Sequence, residues 1–233
     1  MNATHPVKVN ESVVYLLSNR YKVRRMMRVL TLITAPTKTW EKIYQAQKSF
    51  IFLLVFLVLP LLVLSSAVEA HGLVHWGKYR PGEGRIRKFS PGEMAIFEAG
   101  QFVLSLAIVL AGSWLVKTLG ETFHGRHTYT QTFTLVAYAL GPLFILRVLD
   151  AFSSIPAWVP WVLGIIFAVR LLYYGIPRIM QPDPPHTFGL YLMSSLLLAF
   201  MIGIVGLVVH CYLIGAFPRL EAAISDGAAK LPF

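Results

Sequence analysis

The stretch FIFLLVFLVLPLLVLSSAV, from Phe50 to Val68, decides how the rest of the chain is read. Its nineteen residues carry no charge, and about 20 residues at 1.5 Å rise each cover the roughly 30 Å of a bilayer's hydrocarbon core. Pro60 and the Ser65, Ser66 pair are its only interruptions. Working outward, four more apolar runs of similar length follow, so that the expected spans are about 50–68, 98–117, 132–149, 158–174 and 190–217. The second helix is predicted to begin before its span, because Ser90, Pro91 and Glu93 stand as N-cap, first-turn proline and capping-box glutamate. Trp76, Tyr79, Trp158, Trp161, Tyr173 and Tyr174 flank the runs at positions expected for membrane interfaces.

Composition agrees. Hydrophobic residues make up 56% of the 233 and charged residues 14%, mean hydropathy is +0.62, and a soluble domain carries about 25% charged residues. A single cysteine, Cys211, excludes a disulfide scaffold, and the abundance of aromatic and aliphatic residues excludes a disordered chain. The fold class is therefore all-α: a polytopic membrane helix bundle of five transmembrane helices with an N-terminal amphipathic interfacial segment. Residues 1–48 form a basic amphipathic arm, 49–217 the membrane domain and 218–233 a short C-terminal tail. No cleavable signal peptide is expected, because 49 residues precede the first apolar run and that run is too long.

The formal net charge of +10 points, on a bilayer protein, to anionic lipid rather than nucleic acid. In the arm, Val23, Met26, Met27, Leu30 and Ile33 recur at helical spacing, while Arg20, Lys22, Arg24, Arg25 and Arg28 fall elsewhere. A second short helix from about Pro36 places Trp40, Ile43 and Tyr44 on one face, with Lys38, Lys42 and Lys48 nearby. Arg20, Arg24, Arg25, Arg28, Trp40 and Lys42 are thus candidates for binding lipid head groups or a partner from the interface plane. The plain alternative is a basic arm packed on the bundle's own end. With the N-terminus inside, Lys and Arg divide thirteen inside to eight outside. A rival in which the first run is a re-entrant hairpin bent at Pro60 gives seventeen to four. A true span is preferred, because backbone at a hairpin tip in lipid lacks hydrogen-bond partners.

Polar groups inside a bilayer are costly, and each is a functional candidate. Glu98, Gln101, Ser105 and Gly112 fall along one stripe of the second span, and Gln131, Thr134, Tyr138 and Gly141 along one stripe of the third. Facing each other, the stripes of Gln101 and Tyr138 would line a groove for a solute or head group; the ordinary alternative is interhelical hydrogen bonding. Glu98 and Arg147 lie near the same ends of adjacent spans and Asp150 is one turn from Arg147, so charge pairing is the expected role of both. His71 with His75 and His124 with His127 are spaced for a metal but lack a third ligand in sequence, and no metal or cofactor is expected. No phosphate-binding loop, dinucleotide fingerprint or H-E-x-x-H occurs.

The proline-threonine-tryptophan helix (Pro36, Thr37, Trp40), the central proline of the first span, and the stretch from Gly120 to Pro142 resemble the Yip-domain family, bacterial branch. The stretch holds Gly125, Thr128, Tyr129, Gln131, Thr132, Phe133, Ala137, Tyr138 and Pro142. The resemblance extends over roughly Met26 to Phe217. It implies five spans with a cytoplasmic N-terminus and an external C-terminus in a bacterial inner membrane. In eukaryotic members it implies binding of lipid-modified Rab-type GTPases. The acidic D-L-Y-G-P element of those members is missing, with only Tyr138, Gly141 and Pro142 in its place, which puts GTPase binding in doubt here. The function expected is a non-enzymatic membrane protein that binds or organises partner proteins or lipids, alone or as a homo-oligomer; the alternative is a small-solute or lipid transporter.

Overall fold

A computed structural model describes residues 29–123 and 127–230. Residues 29–34 are helical and lead into α1 (Pro36–Ala46). Five helices long and apolar enough to cross a membrane follow. They are α2 (Phe50–His75), α3 (Pro91–Thr122), α4 (Tyr129–Leu146, continued by a 3-10 turn over Arg147–Ala151), α5 (Trp158–Ile179) and α6 (Pro184–Leu213). Between α2 and α3 lie two short antiparallel strands, β1 (Lys78–Arg80) and β2 (Arg85–Arg87), and α7 (Pro218–Ala228) closes the described chain. The bundle thus has a hairpin end, with β1, β2 and α7, and an opposite end carrying α1. Outward-facing side chains such as Val63, Val103, Ile166, Phe200 and Leu207 are exposed, as bilayer-facing residues must be. The protein is an integral multi-pass membrane protein.

The re-entrant alternative for the first run is overturned: Phe50–His75 is one continuous helix joining the two ends. Pro60 cannot donate a backbone hydrogen bond, and the turn before it widens into a π-turn over Leu54–Val58, which absorbs the missing donor without reversing the chain. The helix also runs past the expected Val68 to His75 and so takes Glu69 into the bundle. At α3 the expected capping box is present: Ser90 Oγ accepts from Glu93 N at 3.1 Å, and Ser90 N donates to Glu93 Oε2 at 2.8 Å. The last span starts earlier and stops earlier than 190–217, because Pro184 opens α6 and Gly215, with φ +82°, turns the chain after Leu213. The tail is ordered as α7, whose Gly227 and Ala228 pack on Ile96 and Gly92 of α3.

Most motif residues between Gly120 and Pro142 have packing roles. Gly120 leaves room for the His127 ring, 2.4 Å from where a Cβ would stand. Thr128 and Gln131 form a second capping box. The Tyr129 hydroxyl donates to the Leu110 carbonyl at 3.2 Å, Phe133 meets Phe50 edge-on, and Gly141 admits Val29. Burial pushes the His127 imidazole below its ordinary range.

A close approach of backbone to backbone joins α2 to the 3-10 turn. A Cβ on Gly72 would stand 2.4 Å from Cα and O of Ala151. Gly72→Val is therefore expected to displace the turn that carries Arg147 and Asp150, at about 1–3 kcal/mol for overpacking. A thermal unfolding midpoint in detergent equal to wild type would contradict this contact.

Candidate functional site: a buried ionic cluster and a docked basic helix

At the hairpin end, three helical segments and β1 converge on charge. Arg147, fully buried, is placed by the 3-10 turn that tightens the end of α4. Its Nη2 lies 2.8 Å from Glu69 Oε2 of α2 and 3.2 Å from Glu98 Oε2 of α3. Nε also donates to Glu69 Oε2 at 3.2 Å, and Nη1 donates to Ser105 Oγ at 3.3 Å. With its amide turned so that oxygen faces the guanidinium, Gln101 accepts from Nε and Nη2 at 3.0 and 2.9 Å. Beside this group, Lys78 Nζ pairs with Asp150 Oδ1 at 3.2 Å and donates to the carbonyls of Asp150 and Phe152 at 3.0 and 3.3 Å. Those three acceptors use all three ammonium protons. These buried charges tie α2, α3, α4 and the hairpin to one point, and losing one partner of such a pair costs stability.

Glu98, Gln101 and Arg147 are thus brought together, and Glu98 pairs with Arg147 across helices. Asp150, one turn from Arg147, instead serves Lys78. Sequence reasoning missed Glu69 and Lys78. Glu69 is the one formally charged residue between Ser49 and Gly77, and the signal was there in a helix with no breaker before His75. Lys78 lies outside every apolar run, where a loop is the simplest reading of the sequence. The alternation of Lys78-Tyr79-Arg80 and Arg85-Ile86-Arg87 around Pro81-Gly82-Glu83-Gly84 is a hairpin pattern instead, and it turns Lys78 and Arg80 inward, each 2% exposed. Arg80 pairs with Glu83 and with Glu221 of α7, and Arg87 pairs with Glu93 and Glu221. Hydrogen bonds from Arg85 and Arg80 hold the Glu83 carboxyl below its usual range. The basic hairpin is therefore largely neutralised from within and is not an open cationic patch.

Tyr138 lies elsewhere. Its ring meets Trp40 edge-on at 6.2 Å, and the α4 stripe of Gln131 and Thr134 faces the α1 end. The stripes of Gln101 and Tyr138 consequently do not face each other, and Gln101 takes the ordinary alternative to a shared groove, hydrogen bonding across helices to Arg147. A second correction concerns Trp40. The ring is fully buried, seated against Gly175, whose Cβ would stand 2.9 Å from it. It anchors α1 to α5 rather than facing lipid, because an indole gains more from close packing than from an interface when a glycine leaves it space. Trp161 likewise turns inward onto Gly206.

Lys38 and Lys42 remain exposed on α1 and Lys48 just after it, and none is ion-paired among the described residues. Lys48 rests over the Phe52 ring at 5.1 Å. Arg20, Arg24, Arg25 and Arg28 lie outside the described residues. Beside α1 opens a cavity of about 360 Å³ bordered by Lys48, Ser49, Thr130, Gln131 and Thr134. Exposed His71 and His75 stack at 4.0 Å, and among the described residues no three His, Cys, Asp or Glu side chains are placed to hold a metal ion.

Compared with curated proteins and with solved structures, the chain gives no match. Compared with protein families, residues 30–207 match the Yip1 domain, a stretch that begins just before α1 and ends within α6. That match takes in the docked helix, the whole ionic cluster and all but the last turns of the bundle, and the chain belongs to the Yip1-domain family.

Proposed function

We propose that this protein is a non-enzymatic organiser of the bilayer, which gathers anionic lipids and membrane-protein partners at the end of the bundle that carries α1. The observation behind this reading is the division of charge between the two ends. At the hairpin end most cations are taken up by named carboxylates. At the other end Lys38, Lys42 and Lys48 stand exposed on and just after a helix that Trp40 fixes to the bundle. A fixed row of ammonium groups beside a cavity with hydroxyl and amide walls suits a phosphate-bearing head group. The same excess of positive charge favours the cytoplasmic side for α1 and the external side for the C-terminus. Membership of the Yip1-domain family supports interaction with other membrane proteins in general. A transport reading would need Gln101 and Tyr138 along one path, whereas Tyr138 packs on Trp40 beside α1.

The test is lipid retention. Purified wild type is expected to keep anionic over zwitterionic lipid in a mixed bilayer disc, with the preference falling as salt rises. Each basic residue at such a surface contributes about 1 kcal/mol. Changing Lys38, Lys42 and Lys48 together to Gln should therefore weaken that preference by about tenfold or more. Equal retention by wild type and the triple variant would remove the electrostatic basis of the reading.

A further inference from the structure

The ionic cluster does not balance. Three carboxyl groups, Glu69, Glu98 and Asp150, meet two cations, Arg147 and Lys78, and every one of these side chains is more than nine-tenths buried. Arg147 is committed to Glu69 through two donors, and Lys78 to Asp150. Glu98 is the group in excess. One of its oxygens receives a single charged bond from Arg147 Nη2 at 3.2 Å; the other, Oε1, is buried with no hydrogen bond of good geometry, and the Ser66 hydroxyl stands beside the carboxyl as a neutral donor. Asp150 Oδ2 is a second buried oxygen without such a bond. A bare carboxylate in such a place is far more costly than a neutral carboxyl, so an uncompensated buried acid takes up a cation or a proton.

We infer that the cluster is a binding site for one exchangeable proton, carried by the Glu98 carboxyl. A metal cation suits the site less well, because hard cations need several converging oxygens and no such group exists among the described residues. The charged groups that face Glu98 come from each neighbour: Glu69 from α2, and Arg147 and Asp150 from the 3-10 turn. Lys78 of β1 stands behind Asp150, and from α6 the Tyr212 ring stacks on the adjacent Phe97 at 4.6 Å. A cavity of about 380 Å³ at the hairpin end is lined by Lys78, Ser153 and His210, and Lys78 leads directly to Asp150. Loss of that proton would set three carboxylates against two cations in a buried cluster, so raising the pH weakens the fold.

The inference is independent of the lipid reading and is tested by infrared spectroscopy of the intact protein in an ester-free detergent. At neutral pH the wild type should show the carbonyl band of a neutral carboxylic acid that moves in heavy water. Heavy-carbon-labelled glutamate should shift the band and labelled aspartate should not, a result that needs no variant. Glu98→Gln, an uncharged stand-in for the protonated acid, should fold, lose the band and lose the fall in thermal stability above neutral pH. Absence of the band in wild type, its shift with aspartate label, or its persistence in Glu98→Gln overturns the assignment. Stability that depends on sodium rather than choline would replace the proton by a metal cation and overturn it too.

Discussion

Arg147→Leu is expected to abolish recovery of folded protein. The substitution leaves Glu69 and Glu98 facing each other in the buried end of the bundle without the guanidinium that separates them, and Ser105 and Gln101 lose their shared partner. Removing one member of a buried ion pair costs about 3–5 kcal/mol, against a total stability of about 5–15 kcal/mol for a typical domain. Protons taken up by the stranded carboxyls recover part of that cost but not the lost hydrogen bonds. Arg147→Lys should also be impaired, since an ammonium cannot reach Glu69, Glu98 and Ser105 together from one fork. Glu69→Gln should be milder, because Glu98 can release its proton and take over the pairing with Arg147, which keeps the buried charges equal. Fluorescence-detected size-exclusion in detergent ranks the three. A monodisperse Arg147→Leu at wild-type yield would show that the cluster does not hold the hairpin end together.

The second large effect is expected at Trp40. Trp40→Ala empties a fully buried site between α1, Tyr138 and Gly175, and truncating a buried tryptophan costs about 3–5 kcal/mol. Trp40 Nε1 has no hydrogen-bond partner among the described residues, so the loss is one of packing. Because α1 is otherwise held chiefly by Ile43 and Thr39, the cost should appear as undocking of the helix rather than collapse of the bundle. Trypsin reads this directly: the exposed Lys38 and Lys42 lie on a helix that resists cleavage while docked. Faster cleavage there in Trp40→Ala, and in Gly175→Val, which fills the ring's seat from the other side, is the expected result. Unchanged cleavage would mean that α1 is held by other contacts.

Both predictions concern residues that the sequence singled out for other reasons. Trp40 was conspicuous as an aromatic on an amphipathic face, yet the periodicity that defines such a face is the same whether it meets lipid or protein. Only the position of Gly175, 135 residues further along the chain, distinguishes the two. Glu98, Gln101 and Arg147 were conspicuous because charge and amide are costly in an apolar run. Their pairing was foreseeable from the antiparallel order of adjacent spans.

Legible from the sequence were the solvent and the elements: five apolar runs, the capping box that opens α3, and the Yip-domain resemblance. These are local, set by the length of apolar segments and by side chains bonding their own helix ends within three residues. The tertiary structure alone decided that Glu69 belongs inside, that Lys78 and Arg80 turn inward onto Asp150 and Glu221, and that Tyr138 faces Trp40 rather than Gln101. Each of those outcomes depends on which helix lies beside which and at what rotation. That is fixed by close approaches such as Gly72 on Ala151 and Gly164 on Leu143, and packing between distant segments leaves no periodic trace in either one.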